Sequence, residues 1–231
     1  MNPLIVLFVA LIADSAQAKA SGSHIDAGLY TDFPASLGLR GTVELPGRLR
    51  LSLGGGILPD SYLASIQGVA TGAGWYSEEL ATLIDTALTR AYVVHPQVGW
   101  RPWEARGYFF AGGVQRVFAA GGEAVAAQVQ AGVEAASDNP PDYFLKSRLT
   151  MATIELGHEW IIKERFVVRA SLGGLFTLGA STTAEALAEE GTPFARARAA
   201  GRGVLEDYLD ETYTRYVHTP TLGVEAGWRF R

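Results

Sequence analysis

The stretch Ser36–Ile57, SLGLRGTVELPGRLRLSLGGGI, decides the fold. Leu37, Leu39, Gly41, Val43 and Leu45 alternate with Gly38, Arg40, Thr42 and Glu44. Pro46-Gly47 then makes a tight turn, and Leu49, Leu51, Leu53 and Ile57 alternate with Arg48, Arg50, Ser52 and Gly56. A repeat of two residues is the side-chain period of a β-strand, so the segment is a hairpin with one apolar face and one polar, charged face.

The same pattern recurs along the chain. Ile154, Leu156, His158 and Trp160 alternate with Thr153, Glu155, Gly157 and Glu159. After a turn at Lys163-Glu164, Phe166, Val168, Ala170, Leu172, Phe176 and Leu178 alternate with Val167, Arg169, Ser171, Gly173 and Thr177. Tyr92, Val94, Val98 and Trp100 share one face of another strand, and a further strand runs from Arg106 to Phe118. Ile25, Ala27, Leu29 and Phe33 alternate with Asp26, Gly28 and Tyr30; Leu222, Val224, Ala226, Trp228 and Phe230 alternate with Thr221, Gly223, Glu225, Gly227 and Arg229. The total is about eight strands, most on the order of 9 to 14 residues, which is the length a tilted strand needs to cross a bilayer.

The connections are unequal. Strands two and three, four and five, and six and seven are joined by turns of a few residues, whereas the links after strands three, five and seven run to roughly 25 to 35 residues, well beyond ordinary loops. In an up-and-down barrel this puts every short turn at one rim and every long loop at the other; only the first loop, at Pro34-Ala35, is short on the long-loop side. Helical spacing within the long links predicts short helices over Glu78–Arg90, Glu123–Ala136 and Val204–Tyr213, where acidic residues outnumber basic ones. Their apolar stripes serve either to pack over the barrel mouth or to bind a partner.

Composition narrows the class. The chain of 231 residues has no cysteine, so a fold of this size holds together without disulfides. Its net charge of −5 is spread along the sequence and leaves no nucleic-acid footprint. Leu4 to Ala13 is an apolar run followed by Ala16-Gln17-Ala18, the small-x-small form of a signal-peptidase site. Residues 1–18 therefore read as a cleaved secretory signal and 19–231 as the barrel domain. No later apolar run reaches transmembrane-helix length, which excludes a helical membrane protein. Yet 48% of residues are hydrophobic, a content that suits a wall facing lipid.

Aromatic positions test that topology independently. Trp100 and Trp103 flank the second short turn, Trp160 and Phe166 the third, and Trp228 and Phe230 end the last strand. All fall at the short-turn rim, where tryptophan's part-apolar ring suits a membrane–water interface. With lipid outside, Arg40, Glu44, Arg50, Arg101, Glu155, Glu159, Arg169, Glu225 and Arg229 point inward, and eight strands leave an interior about wide enough for side chains to fill. Paired across the lumen, these charges plug it.

With signal, strands, loop asymmetry and rim aromatics in place, the chain resembles the small eight-stranded bacterial outer-membrane β-barrels. The segment Leu222-Gly-Val-Glu-Ala-Gly-Trp-Arg-Phe230 resembles the C-terminal strand by which such proteins are inserted, with the departure that Arg231 makes the aromatic penultimate. The resemblance implies an all-β antiparallel transmembrane barrel in the cell outer membrane with helices in long extracellular loops. It also implies outer-membrane lipids and the barrel-assembly machinery as partners, and an envelope protein docking on the long loops. Fold alone assigns no task. The first expectation is a non-enzymatic structural or docking component of the cell envelope. The alternatives are a narrow porin-like channel for small or apolar solutes, a lipid A-modifying enzyme, and a soluble lipocalin-like binder. No catalytic residue, cofactor or metal is assigned: no serine shares the strand face of His158 at a spacing of two, and no histidine pair stands at ligand spacing. Gly54-Gly55-Gly56 and Gly173-Gly174 precede no helix with a Lys-Ser/Thr signature, so they read as strand glycines of a curved sheet.

Overall fold

A computed structural model describes residues 24–103, 107–125, 129, 142–187 and 195–230. The signal at 1–18, the middle of the second short turn, residues 126–128 and 130–136 of the helix expected over Glu123–Ala136, and Arg231 lie outside these residues.

The Ser36–Ile57 stretch forms β2 (Ser36–Glu44) and β3 (Leu49–Ile57). Between them Gly47 and Arg48 adopt positive φ angles of 83° and 67°, and Leu45 both donates to Leu49 and accepts from Arg48, which closes the turn. β1 (His24–Phe33) precedes the pair, and α1 (Asp60–Gly72) and α2 (Glu78–Ala87) follow it. Then come β4 (Tyr92–Trp100), β5 (Tyr108–Phe118), a short β6 (Gly122–Ala124), β7 (Tyr143–Ile162), β8 (Phe166–Ala186), α3 (Ala195–Tyr216) and β9 (His218–Phe230).

Each long strand pairs antiparallel with its neighbours in sequence, β5 with β7 and β1 with β9, so eight strands close a barrel; β6 adds a short pairing to the upper end of β7. Over the height where all eight strands pair, closure leaves no free edge, the condition a sheet must meet in lipid. At the β1–β9 seam Gly28 lies opposite Gly227, so close that a Cβ on either would land on the other strand's backbone.

The expected alternation of short turns and long loops is present, as are the helix beginning at Glu78 and one spanning Val204–Tyr213. Four features differ from expectation. Glu123 and Ala124, expected to open a helix, belong to the strand β6. α1 is an additional helix; its stretch carries Gly68 and Gly72 and only a weak apolar stripe, Leu63, Gln67 and Ala70 being its buried residues. α3 extends well beyond Val204–Tyr213 at both ends. β7 and β8, at 20 and 21 residues, outrun the strand length set by a bilayer.

That excess length has a physical reason. In the lower part of the barrel the outward residues are apolar; Leu29, Leu39 and Leu172 are each about two-thirds exposed, while Asp26, Glu44 and Glu159 are buried inside. In the upper part of β7 and β8 the polarity inverts. Lys146, Arg148, Ser181 and Glu185 point outward, and Tyr143, Leu145, Leu149 and Ala184 point inward beneath the helices. The outer wall is thus apolar below and polar above, and the inner wall the reverse.

Candidate functional site

The lower lumen is filled by charge. Register alone sets opposite charges side by side: Glu44 faces Arg50, Glu159 faces Arg169, Arg169 faces Glu225, and Asp26 faces Arg229. Such cross-strand neighbours on one face of a sheet are within direct reach. The centre is Glu159, which accepts from Arg50 at 2.7 Å, Arg169 at 2.8 Å, Arg101 at 2.9 Å and Arg229 at 3.2 Å. Arg101 also donates to Glu44 at 2.6 Å and Arg229 to Asp26 at 2.7 Å, while Arg169 donates to both Glu225 and Asp26. Higher up, Arg40 donates to Asp32 at 2.6 Å and stacks 4.2 Å from the centroid of the Tyr30 ring, and Gln97 donates to Glu155 at 2.6 Å.

The buried carboxylates of Asp26, Asp32, Glu44, Glu155, Glu159 and Glu225 thus meet the guanidiniums of Arg40, Arg50, Arg101, Arg169 and Arg229, six against five, with the imidazoles of His24 and His95 among them. Burying such ions is tolerable because they pair and hydrogen-bond with one another, while Glu155 accepts from the Gln97 amide. A gap among these described side chains is a cavity of about 20 Å³ bordered by Arg40, Arg50, Glu155 and Arg169, room for a water or so.

Each of the nine inward charges named from the sequence lies in this lumen, buried. Sequence reasoning missed Asp26 and Asp32, although the alternation in β1 already put Asp26 on the face of Gly28 and Tyr30. It also missed a trio. Asp32, His95 and Glu155 offer ligand atoms within 4.8 Å of one another, the separation a metal ion requires. The Arg40 guanidinium already stands there, 2.6 Å from Asp32 Oδ2 and 3.5 Å from His95 Nδ1, and supplies the positive charge that a metal would bring.

Above the ions the lumen turns apolar, where a polar interior had been expected throughout. Val93, Val117, Leu149, Met151 and Leu175 face one another under Leu63, Leu83, Ile84 and Leu88 of the α1–α2 unit and Leu205, Leu209 and Tyr213 of α3. The helix stripes therefore pack over the barrel mouth. Ser77 caps α2 by accepting from the Leu80 N–H, and Gln67 ties α1 to α2 through the Ala81 carbonyl. α3 has a second task. β9 ends at the level of Phe176, so β8 above that point has lost its partner on that side. Asp210 accepts from the Thr182 N–H at 2.7 Å and Glu206 from the Ala184 N–H at 2.8 Å, satisfying an edge that would otherwise be bare. Burial pushes the Asp210 carboxyl above the ordinary aspartate range, and pushes the Tyr213 phenol, 3.2 Å from Ser147 Oγ, well above its usual value.

At the opposite rim, Trp100, Trp103, Trp228 and Phe230 are about half exposed on the outer wall, with Phe166 and Trp160 beside them. Trp103, Tyr108, His158 and Trp160 form a chain of ring contacts with centroids 6.4, 4.7 and 4.6 Å apart. The fifth tryptophan, Trp75, stands at the helical rim, between α1 and α2.

The sequence matches no protein-family model and no curated protein sequence. Among solved structures, the N-terminal β-barrel domain of Pseudomonas aeruginosa OprF is similar at 14% identity, covering 90% of this chain and 96% of that one with a TM-score of 0.44. A major outer membrane protein from Thermus thermophilus is similar at 13% identity, covering 90% of this chain and 100% of that one, TM-score 0.44. Acinetobacter baumannii CarO is similar at 13% identity, covering 89% of this chain and 97% of that one, TM-score 0.38. These likenesses are distant. The chain's own closure and loop order give it the architecture of the small eight-stranded outer-membrane β-barrels.

Proposed function

We propose that this protein is an exported outer-membrane barrel that does not conduct, and that it serves as a non-enzymatic structural or docking element of the cell envelope. The observation that carries the reading is the filled lumen: a buried ion network, with a gap of about 20 Å³ among its side chains, beneath an apolar cap. A conducting pore of this strand number would need a water-filled path, and here side chains occupy it. The outer wall supports the membrane placement. Its exposed leucines form a continuous apolar band that water would not tolerate at this extent. The Trp-rich rim becomes the periplasmic interface and the helical rim the extracellular side. On this reading lipids cover the wall, the assembly machinery engages β9, and the long loops with their helices present the surface for an envelope partner.

Planar-bilayer recording tests it. The refolded full chain, shown closed by its faster gel migration before boiling, is expected to give no steps above baseline in concentrated KCl. Regular conductance steps would overturn the closed-lumen reading.

A further inference from the structure

We infer that the helical rim carries a site for one zwitterionic phospholipid or lysophospholipid, its acyl chain in a groove on the outer wall and its head in a cleft above. The inference rests on the membrane reading and adds a ligand to it. The groove, about 410 Å³, is formed by Ile66, Val69 and Ala70 of α1 against Phe33, Leu172 and Leu222, a size in the range of ligand pockets. Phe33, Leu172 and Leu222 are adjacent in register on β1, β8 and β9 and belong to the exposed apolar wall. The groove is thus continuous with the surface that faces lipid tails, and an acyl chain enters it without crossing water. Its inner end shares Pro34, Ile66 and Tyr76 with a smaller apolar gap of about 40 Å³ over the upper lumen.

A second cleft, about 570 Å³, lies across Trp75, Tyr76 and Tyr216, which line both spaces. Its walls add Glu79, Glu211 and Arg215, so acid, aromatic ring and guanidinium meet in one recess. An ammonium is attracted by aromatic faces and carboxylates; a phosphate is matched by arginine. The Arg215 guanidinium, 5.4 Å from the centroid of the Tyr216 ring, stands where the head would leave the groove. A polar recess and an apolar groove sharing one aromatic wall at the height where solvent changes describe an amphiphile.

Trp75 reports on both spaces. The full chain is refolded into phosphatidylglycerol vesicles, whose heads lack the ammonium and so do not compete as zwitterions, flotation is checked, and lysophosphatidylcholine brominated at mid-chain is titrated in. The emission difference between wild type and Trp75→Phe isolates Trp75. The expected result is loss of more than half of that difference, saturating at one molecule per barrel. Val69→Phe, which enlarges an exposed side chain inside the groove, abolishes the saturable component; Arg215→Ala weakens it roughly five- to tenfold. Brominated stearate, lacking the head, binds more weakly than the lysophospholipid. Linear, unsaturated quenching that is the same in Val69→Phe overturns the groove, and equal affinity for stearate overturns the head assignment. A chain that floats without saturable quenching refutes this site and leaves the membrane placement standing; a chain that does not float refutes both.

Discussion

Glu159→Gln removes one charge from the lumen and almost no volume. Glu159 is fully buried and touches four guanidiniums between 2.7 and 3.2 Å. At an effective dielectric of about 20, each contact is worth roughly 4 kcal/mol of gross attraction. Mutual repulsion of the arginines and the desolvation of every ion offset most of that sum, and removing one partner of a buried ion pair typically costs about 3–5 kcal/mol. The substitution leaves Arg50, Arg101, Arg169 and Arg229 facing Asp26, Glu44 and Glu225, four against three. We expect a loss in that range, read as a fall of roughly 1.5–2.5 M in the urea midpoint of the vesicle-embedded protein at a slope of about 2 kcal/mol/M. Adding Arg50→Met restores balance and should recover at least about 1 kcal/mol, the size of coupling expected between residues in one network. A midpoint shift under about 0.5 M at that same slope, with no recovery in the double variant, would refute the view that the plug is held by these ions.

Other perturbations address the wall, the seam and the cap. Leu53→Arg, an outward residue in the middle of β3, is expected to cost about 2–4 kcal/mol of folding free energy in bilayers; Lys146→Leu, outward on the upper part of β7, should cost almost nothing in the same titration. Gly227→Val puts side-chain atoms into the β1 backbone, since even a Cβ there would stand 2.5 Å from the Ala27 carbonyl oxygen. It should slow closure and lower stability by at least about 1–3 kcal/mol, visible as a larger unfolded band on unboiled gels. Asp210 gives a pH dependence. Its folded carboxyl titrates above the unfolded value because burial disfavours the charge, so its stabilising contribution is full below the unfolded pKa and is lost as pH rises through the folded one. Amide exchange in α3 should therefore slow as pH falls from neutral toward the aspartate range, after correction for intrinsic rates, and Asp210→Asn should flatten that slope.

The lower barrel was legible because an apolar outer face and a polar lumen impose a strict period of two on every strand, and because Pro46-Gly47 and Lys163-Glu164 mark turns between clean alternations. From that pattern the inward face of Arg40, Glu44, Arg50 and Glu159 follows directly. Their partners do not. Glu159 meets Arg50 of β3 and Arg101, just past the end of β4, both far away in sequence, and which inward charges meet depends on stagger around the closed barrel, which no single strand encodes. The upper barrel was harder to read for a different reason. Above Met151 the apolar face of β7 turns inward to meet the helices, so its alternation continues with the meaning of each face exchanged. A reading that equates apolar with outward stops there, and Tyr143–Thr150 with it. α1 escaped because Gly68 and Gly72 are poor helix residues and its buried face includes Gln67, which is tied to Ala81 and Tyr76 by hydrogen bonds rather than apolar packing.

The proposed role requires that the lower outer wall of this barrel face lipid. Density-gradient fractionation of Gram-negative cells making the full chain tests it most directly. The expected result is recovery with the outer membrane, resistant to carbonate extraction, as a band that migrates faster before boiling than after. Recovery in the soluble periplasmic fraction, with migration unchanged by boiling, would contradict it.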